Sequence, residues 1–99
     1  MLKIIKNKEN EKLEIKLVGR LDTNTSKELE ESLNGLLDGI HLLIFDFSEL
    51  DYISSAGLRI LLSCQKIMNR QGEMKVTNVN EIVNDIFEVS GFCDILTIE

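Results

Sequence analysis

Apolar residues recur with two different periods along this chain, and the period changes where short polar segments interrupt the pattern. In the first part of the chain, every second residue is apolar on both sides of the polar segment 7–10. The apolar residues at these alternate positions are Leu2, Ile4, Leu13, Ile15 and Leu17. A period of two on either side of a polar turn predicts a β-hairpin with one buried face.

A helical period begins after this hairpin. Apolar residues recur at i, i+4, i+7 and i+8, as on one face of an amphipathic helix, at Leu29, Leu33, Leu36 and Leu37. Thr25 and Glu28 have the spacing of a capping box, in which the threonine caps the helix and the glutamate reaches back to it. Gly39 stands where a C-terminal cap is expected. We therefore predict a first helix that begins at Thr25 and ends near Gly39.

The segment from Ile40 to Phe47 is almost continuously apolar, with interruptions at His41 and Asp46. Such a run is typical of a central strand that is covered on both faces. His41 is the only histidine in the chain. We interpret it as a structural residue at the beginning of this strand rather than as a catalytic one.

A second helix is predicted shortly after this strand. Its apolar residues have helical spacing and are Leu58, Leu61, Leu62 and Cys64. The helix follows Ser55 and ends near Arg70, because Gln71-Gly72 is a stop signal. Its face continuing from Ser55 carries Arg59, Ser63, Lys66 and Arg70. This row of side chains is either a solvated stripe or a basic docking surface.

The last part of the chain contains three more predicted elements. Met74 and Val76 alternate with polar residues in a short strand. Asn80 caps a third helix, closed by Gly91, whose apolar residues are Ile82, Val83, Ile86 and Phe87. The segment from Cys93 to Ile98 is predicted as a final strand.

The predicted order of elements is β-β-α-β-α-β-α-β. Strands linked by crossover helices lie parallel, whereas the two strands of a hairpin lie antiparallel. The sequence therefore predicts an α/β fold with a mixed sheet and helices packed on it. Ninety-nine residues are enough for one domain with one core, so residues 1–99 are expected to form a single domain.

Composition narrows the classes of function. The chain has 11 Lys+Arg against 17 Asp+Glu, a net charge of −6, which disfavours nucleic acid and anionic membranes as partners because both attract basic surfaces. No apolar run approaches the ~18 residues of a membrane span. We expect a cytoplasmic, monomeric protein. Cys64 and Cys93 stand among apolar residues and are interpreted as core residues rather than redox or metal-binding groups.

The turn before the second helix contains the most distinctive candidate chemistry. Ser54 and Ser55 are adjacent there, where the helix presents unpaired backbone N–H groups and the positive end of its dipole. One interpretation is that a serine merely caps the helix. The other is that a hydroxyl is a site of modification, which the small residues Ala56 and Gly57 leave open to a large partner.

Two segments of the chain resemble a known family. The segment from Leu50 to Leu58, which reads LDYISSAGL, resembles the phosphoacceptor loop of STAS domains of the anti-sigma factor antagonist type. The segment from Gly19 to Asp22, which reads GRLD, resembles the Gly-x-Leu-Asp element of the same family. Together with the order of elements, the resemblance extends over nearly the whole chain.

The resemblance implies a function and a mechanism. In that family the unmodified protein sequesters an anti-sigma factor that is also a serine kinase, and this frees a sigma factor. Phosphorylation of a serine releases the partner. Carried over by position, the acceptor is Ser55, with Ser54 as the second choice. The implied partners are this kinase and a phosphoserine phosphatase, and no cofactor is expected on this chain because the kinase brings ATP and Mg²⁺.

A set of residues is expected to form the partner-binding loop: Asp22, Asp46, Asp51, Ser54, Ala56, Gly57 and Arg59. By the resemblance, Asp22 and Asp46 shape the loop or orient the hydroxyl. Helical spacing places Arg59 near the turn, where it could meet the phosphate or bind an acidic patch of the kinase.

Other classes of function remain to be weighed against this one. The chain has no nucleophile elbow, Walker loop, dinucleotide fingerprint or zinc-protease motif, so we do not expect an enzyme. Acidic residues near the turn could hold a cation, although such runs are more often solvated. The main alternative is a STAS regulatory subunit of a transporter or another cytoplasmic assembly, with serines that only cap the helix. A small-ligand-binding module would need a pocket that the few aromatic residues do not outline.

Overall fold

A computed structural model describes residues 2–99, which form four strands, three α-helices and a short 3₁₀ helix. The elements in chain order are β1 (Leu2–Glu9), β2 (Lys12–Leu21), α1 (Thr23–Leu33), β3 (Leu42–Ile53), α2 (Ser55–Gln71), β4 (Glu73–Thr77), α3 (Glu81–Ser90) and the 3₁₀ helix (Phe92–Asp94). The predicted α/β fold is confirmed.

The four strands form one mixed sheet in the order β1-β2-β3-β4. The hairpin strands β1 and β2 pair antiparallel, whereas β2 with β3 and β3 with β4 pair parallel. The crossover helices α1 and α2 join the parallel pairs, as a parallel connection requires. The predicted strand directions are therefore confirmed.

The core lies between one face of the sheet and the helices. Buried residues alternate along each central strand and point to this face; they include Leu13, Ile15, Leu17, Leu43, Phe45, Phe47, Met74 and Val76. Phe47 joins the layers, because its ring centroid lies 5.9 Å from that of Phe45 and 6.3 Å from that of Phe87 in α3.

No helix of residues 2–99 packs against the opposite face of the sheet, which corrects the prediction for the central strand. Ile44 and Asp46 point to this side and are only partly buried. Lys16 and Glu49 form an ion pair there, with 2.7 Å between Nζ and Oε2. The apolar run from Ile40 did not predict correctly that a helix covers this face. The strand residues on this face are only partly buried, by neighbouring side chains of the sheet.

The first helix differs from its prediction at both ends. It begins at Thr23 rather than Thr25, because the Asp22 carboxylate accepts hydrogen bonds from backbone N–H groups of the first turn and takes the capping position. It ends at Leu33, so Leu36 and Leu37 lie in the following turn. Leu37 is nevertheless buried, which explains why its spacing matched a helical face.

The C-terminal region also differs from its prediction. Residues 93–98 do not form a strand; instead the 3₁₀ helix is followed by one isolated parallel bridge between Val76 and Ile98. Cys93 is exposed and not part of the core, and Ile82 is 61% exposed. Only residues 97–99 reach β4, where the Val76 N–H donates to the Thr97 carbonyl at 2.9 Å.

The second helix agrees with its prediction. It runs from Ser55 to Gln71, Gly72 is its C-cap, and Cys64 is buried. Asn80 caps α3 as predicted, since its side chain accepts the Val83 N–H at 2.9 Å. No helix within residues 2–99 is long and apolar enough to cross a membrane.

Candidate functional site

The parallel pairing of β2 and β3 brings two helix beginnings together at one edge of the sheet. Leu21 and Ile53, the last residues of these strands, are register partners. The Ser54 N–H donates to the Leu21 carbonyl at 2.8 Å. Asp22 caps α1 and Ser54 caps α2, so the two sequence motifs lie side by side although about thirty residues separate them along the chain.

Ser54 is committed to capping the second helix. Its Oγ accepts the Gly57 N–H at 3.3 Å, and its carbonyl accepts the Leu58 N–H at 2.9 Å. Its backbone has the extended conformation that is usual for an N-cap. The capping interpretation of the double serine therefore applies to Ser54.

Ser55 occupies the first helical position and is exposed. No hydrogen bond within residues 2–99 engages its hydroxyl. The backbone N–H groups of the first helical turn lack intrahelical partners, and Ser54 takes only one of them. An anion attached to Ser55 would thus find N–H donors and the positive end of the helix dipole beside it.

Asp22 organises the neighbouring turn. Its Oδ1 accepts the N–H groups of Asn24 at 3.0 Å and of Thr25 at 2.9 Å, while the Asp22 N–H donates to Thr25 Oγ1 at 2.8 Å. The hydrogen bond from the Thr25 N–H contributes most to lowering the pKa of the Asp22 carboxyl, against a smaller opposing effect of burial. Asp22 therefore shapes the α1 turn next to the serines.

Gly57 and Ala56 have different surroundings. Gly57 is buried, and a β-carbon added there would lie 2.8 Å from both Ile53 Cγ1 and Leu21 Cγ. Gly57 therefore allows α2 to pack closely against the ends of β2 and β3. Ala56 is partly buried and lines a groove between α1 and α2 together with Arg59.

A cleft lies on the other side of Ser55, between α2 and α3. It has a volume of about 370 Å³, and its lining includes Tyr52, Ser55, Leu58, Asp85 and Val89. Val89 is 91% exposed, so the outer wall of this cleft is an uncovered apolar surface. Ser55 thus borders a space whose lining is largely apolar and includes one carboxylate, that of Asp85.

Positive charge is present near this edge on two sides. Arg20, which follows Gly19 in the first motif, places its guanidinium 4.5 Å from the centroid of the Tyr52 ring. Arg59 is exposed one turn after Ser55, and the row predicted on α2, consisting of Arg59, Ser63, Lys66 and Arg70, is exposed throughout.

The two aspartates of β3 lie at different distances along the strand from the serines. Asp46 lies in the middle of β3, and its Oδ1 accepts the Ser48 N–H at 2.9 Å and the Asn78 Nδ2 at 3.1 Å. Burial alone would raise the pKa of Asp46, but these hydrogen bonds outweigh it and lower the pKa. The strand segment from Phe47 to Ile53 separates Asp46 from the turn, so its expected role in orienting the hydroxyl is wrong. Asp51 is an exposed residue of β3 before the turn.

Several residues of the cleft were not identified from the sequence as site residues. They are Tyr52, Asp85, Ile86, Val89 and Ser90, and Arg20 lies next to the cleft, over the Tyr52 ring. Arg20 and Tyr52 lie within the two motifs, which was a usable signal. The sequence of α3 contained no such signal, because only the tertiary packing of α3 beside α2 brings its residues to Ser55. Within residues 2–99 no group of three or more His, Cys, Asp or Glu side chains is placed to hold a metal ion.

Several known proteins are similar to this chain in sequence and in architecture. The family model described as "STAS domain" matches residues 3–99. A protein of Bordetella bronchiseptica named as a candidate anti-sigma factor antagonist, BtrV, is 36% identical over 84 residues, which are 83% of this chain and 72% of that protein. The anti-sigma-B factor antagonist of Listeria monocytogenes is 29% identical over 98 residues, 96% of this chain and 85% of its own length.

A solved structure supports the same assignment of fold. The anti-sigma factor antagonist SpoIIAA in its unphosphorylated form superposes with a TM-score of 0.84 at 18% identity, covering 98% of this chain and 88% of that one. The phosphorylated form of the Bacillus protein superposes with a TM-score of 0.75 at 17% identity, over 98% of this chain and 91% of that one. With a family model that matches nearly its whole length, the chain belongs to the STAS domain family.

Proposed function

We propose that this chain is an anti-sigma factor antagonist that is switched by phosphorylation at Ser55. The unmodified protein binds an anti-sigma factor that is also a serine kinase, and so frees a sigma factor in the cytoplasm. Phosphorylation of Ser55 releases the partner, and a phosphatase restores the binding form. The chain acts as a monomer and supplies only the hydroxyl.

The observation that carries this proposal is that only one of the two serines, Ser54, is used to cap the helix. Ser54 is held by its capping hydrogen bond, whereas the exposed hydroxyl of Ser55 is open to a large partner. A kinase can therefore reach Ser55 without first breaking the helix cap. The names of the relatives, anti-sigma factor antagonists in Bordetella and Listeria, support the same class of function.

The surroundings of Ser55 explain how a phosphate would act without unfolding the domain. A phosphate adds about −1.5 to −2 charges. The beginning of α2 attracts it by roughly 0.3–1 kcal/mol. A carboxylate such as Asp85 across the cleft repels it, on the order of 1 kcal/mol at 4 Å in water. These opposing effects leave the fold nearly as stable as before.

Phosphorylation of Ser55 would change the affinity for the partner much more than it changes the stability of the fold. A partner that packs against Ser55 must fill the cleft beside Leu58 and Val89, which is largely apolar. A phosphate in that cleft occupies the space and would have to lose its water, which costs several kcal/mol if it stays unpaired. Each 1.4 kcal/mol changes affinity about tenfold, so this effect is enough to release a micromolar complex.

The first experiment identifies the acceptor. The full chain is incubated with the purified anti-sigma factor kinases of its source organism and ATP, and phosphoserine is mapped by mass spectrometry. We expect modification at Ser55 and its loss in Ser55→Ala, with Ser54→Ala still modified. Modification at Ser54, or at neither serine, would contradict the assignment of the acceptor.

The second experiment measures affinity for the same kinase. We expect Ser55→Ala to bind as the unmodified protein does, and Ser55→Asp to bind at least tenfold more weakly. Ser55→Asn separates size from charge, and Ser48→Asp, the control, adds the same charge to an exposed position of β3 outside the basic row. Equal binding by Ser55→Ala and Ser55→Asp refutes release by charge.

The alternative is a regulatory subunit of a transporter or another cytoplasmic assembly. Under that alternative, Ser55 is an exposed residue without a switching role. No kinase then modifies the chain, and subunits of the assembly co-purify with Ser55→Ala and Ser55→Asp equally. The two functions are therefore distinguished by the same pair of variants.

A further inference from the structure

A groove of about 470 Å³ lies between the C-terminal end of α1, the turn after it and the middle of α2. Its apolar lining comes from Leu33, Leu37, Ile60, Cys64 and Ile67. The first four are buried, whereas Ile67 stands on the rim and is 43% exposed. The groove thus has an apolar floor and one partly exposed isoleucine among its lining residues.

The turn after α1 forms one wall of this groove. The chain leaves the helix at Leu33 and passes through a turn in which Gly35 and Gly39 have φ values of 75° and 78°. Glycine adopts this left-handed conformation at little cost.

Acidic side chains surround the apolar lining. Glu30 and Glu31 of α1 and Asp38 of the turn line the groove, and no Lys or Arg of residues 2–99 does. Ile67 also lines a second, smaller depression of about 270 Å³ on the other side, together with Lys66 and Arg70. The negative charge is therefore concentrated on the α1 side of the groove.

We propose that this groove docks a basic amphipathic helix of a second partner protein. The apolar face of that helix covers Ile67, and its Lys and Arg residues face Glu30, Glu31 and Asp38. A helix lying in a groove between two helices is a recurrent mode of recognition, and opposite charge fixes its orientation.

The Ile67 end of this docking surface lies away from the Ser55 turn, whereas its Ile60 end borders the depression that Ala56 and Arg59 line. Ile67 lies about 18 Å along α2 from Ser55, at 1.5 Å per residue. A phosphate on Ser55 therefore leaves the groove accessible. The inference goes beyond the proposed function, because a second protein could remain bound while the first is released.

The test uses the full chain, labelled with ¹⁵N, and a synthetic amphipathic peptide of leucine and lysine. We expect backbone chemical shifts to change around Glu31, Asp38 and Ile67. An acidic twin peptide of leucine and glutamate should cause no change at these residues. The acidic residues of α3 are Glu81, Asp85 and Glu88. Equal shift changes around these residues would overturn the proposal, because they would indicate unspecific attraction between opposite charges.

Matched variants sharpen this test. Ile67→Ser should weaken binding of the lysine peptide about fivefold, because the peptide can no longer bury the part of the isoleucine side chain that the free chain leaves exposed. Glu31→Gln should also weaken it, about two- to threefold, by removing one rim charge. The controls are Ile82→Ser and Glu81→Gln on α3, which should bind as the unaltered chain does. Equal weakening by test and control variants overturns the proposal.

Two further measurements ask whether the groove is independent of Ser55 and whether a second copy of the chain fills it. Ser55→Asp should bind the lysine peptide within about twofold of the unaltered chain; loss of peptide binding in this variant would overturn the independence of the groove. Shift changes at Ile67 that appear without peptide and grow with protein concentration would identify a second copy of the chain as the occupant, and would also overturn the proposal. Neither outcome depends on whether Ser55 is phosphorylated by a kinase.

Discussion

Gly57 lies so close to Leu21 that a β-carbon at position 57 would stand 2.8 Å from Leu21 Cγ. Leu21 belongs to the first sequence motif and Gly57 to the second, so this contact is where the two motifs meet. Both residues are buried. The position of the α2 helix beginning, and with it the direction in which Ser55 points, therefore depends on the absence of a side chain at position 57.

Replacement of Gly57 by alanine should destabilise the protein. The added methyl group must displace Leu21 and Ile53, which are both fully buried, and such overpacking costs about 1–3 kcal/mol. Alanine has a higher helix propensity than glycine, which offsets about 0.5–1 kcal/mol of this cost. We expect a net loss of roughly 1 kcal/mol in the free energy of unfolding, measured by urea denaturation. Ser63→Ala, at an exposed position of α2, is the control, and a Gly57→Ala variant as stable as this control would contradict the packing argument.

The two serines should differ in their effect on stability. Ser54→Ala removes the acceptor of the Gly57 N–H and should cost about 0.5–2 kcal/mol, as the loss of an N-cap does. Ser55→Ala removes an exposed hydroxyl and should change stability by less than about 0.5 kcal/mol. Thermal or urea denaturation of both variants tests this difference. A larger loss in Ser55→Ala would mean that the two serines have been assigned the wrong roles.

Stability should depend on pH through the Asp22 cap. The pKa of Asp22 in the folded protein lies below its ordinary value of 3.8, chiefly because the Thr25 N–H donates to the carboxylate. The charged cap therefore stabilises the fold above pH 3.8, and this contribution is lost as the pH falls below 3.8 towards the lower pKa of the folded state.

Two variants at position 22 isolate this effect. Asp22→Ala should be less stable than the unaltered chain at neutral pH, and the difference should shrink as the pH falls below 3.8. Asp22→Asn keeps an oxygen acceptor without a titrating charge, so its own stability should not follow the same curve. A difference between Asp22→Ala and the unaltered chain that is constant across this pH range would show that the carboxylate charge is not what stabilises α1.

Arg59 should affect the rate of partner association. It is exposed one turn after Ser55, at the end of the basic row that is nearest to the turn. Arg59→Glu should slow association of the kinase and weaken its dependence on salt, because rim charges act mainly through long-range attraction. Arg70→Glu, on the same face near the C-terminal end of α2, should have a smaller effect. Unchanged association kinetics of Arg59→Glu at low salt would exclude this role.

The two cysteines should react very differently. Burial raises the pKa of the Cys64 thiol to about 12, so almost none of it is thiolate at neutral pH. Cys93 is exposed in the 3₁₀ helix. A thiol reagent should modify Cys93 rapidly in the folded protein and Cys64 only after denaturation. The Cys93→Ser variant should then show almost no reaction while folded; rapid reaction of that variant would mean that Cys64 is accessible.

Much of the fold was predictable because its signals are local. Alternation before and after residues 7–10 identified the hairpin, and the stop signal at Gln71-Gly72 identified the end of α2. The cap of α3 at Asn80 is likewise a short-range hydrogen bond to Val83. Predictions were wrong where two local signals competed, as at Asp22 and Thr25, since only the folded turn decides which side chain reaches the first N–H groups.

For the candidate site, the sequence by itself determined the double serine and the two motifs, because these depend on residue types at fixed spacing. Only the tertiary structure decided that the motifs meet through Leu21 and Gly57, that Ser54 is the cap, that Asp46 lies elsewhere, and that α3 forms the far wall of the Ser55 cleft. It also left Cys93 and Ile82 exposed. The physical reason is that periodicity states which side of an element is apolar, whereas coverage of that side depends on which distant element packs against it.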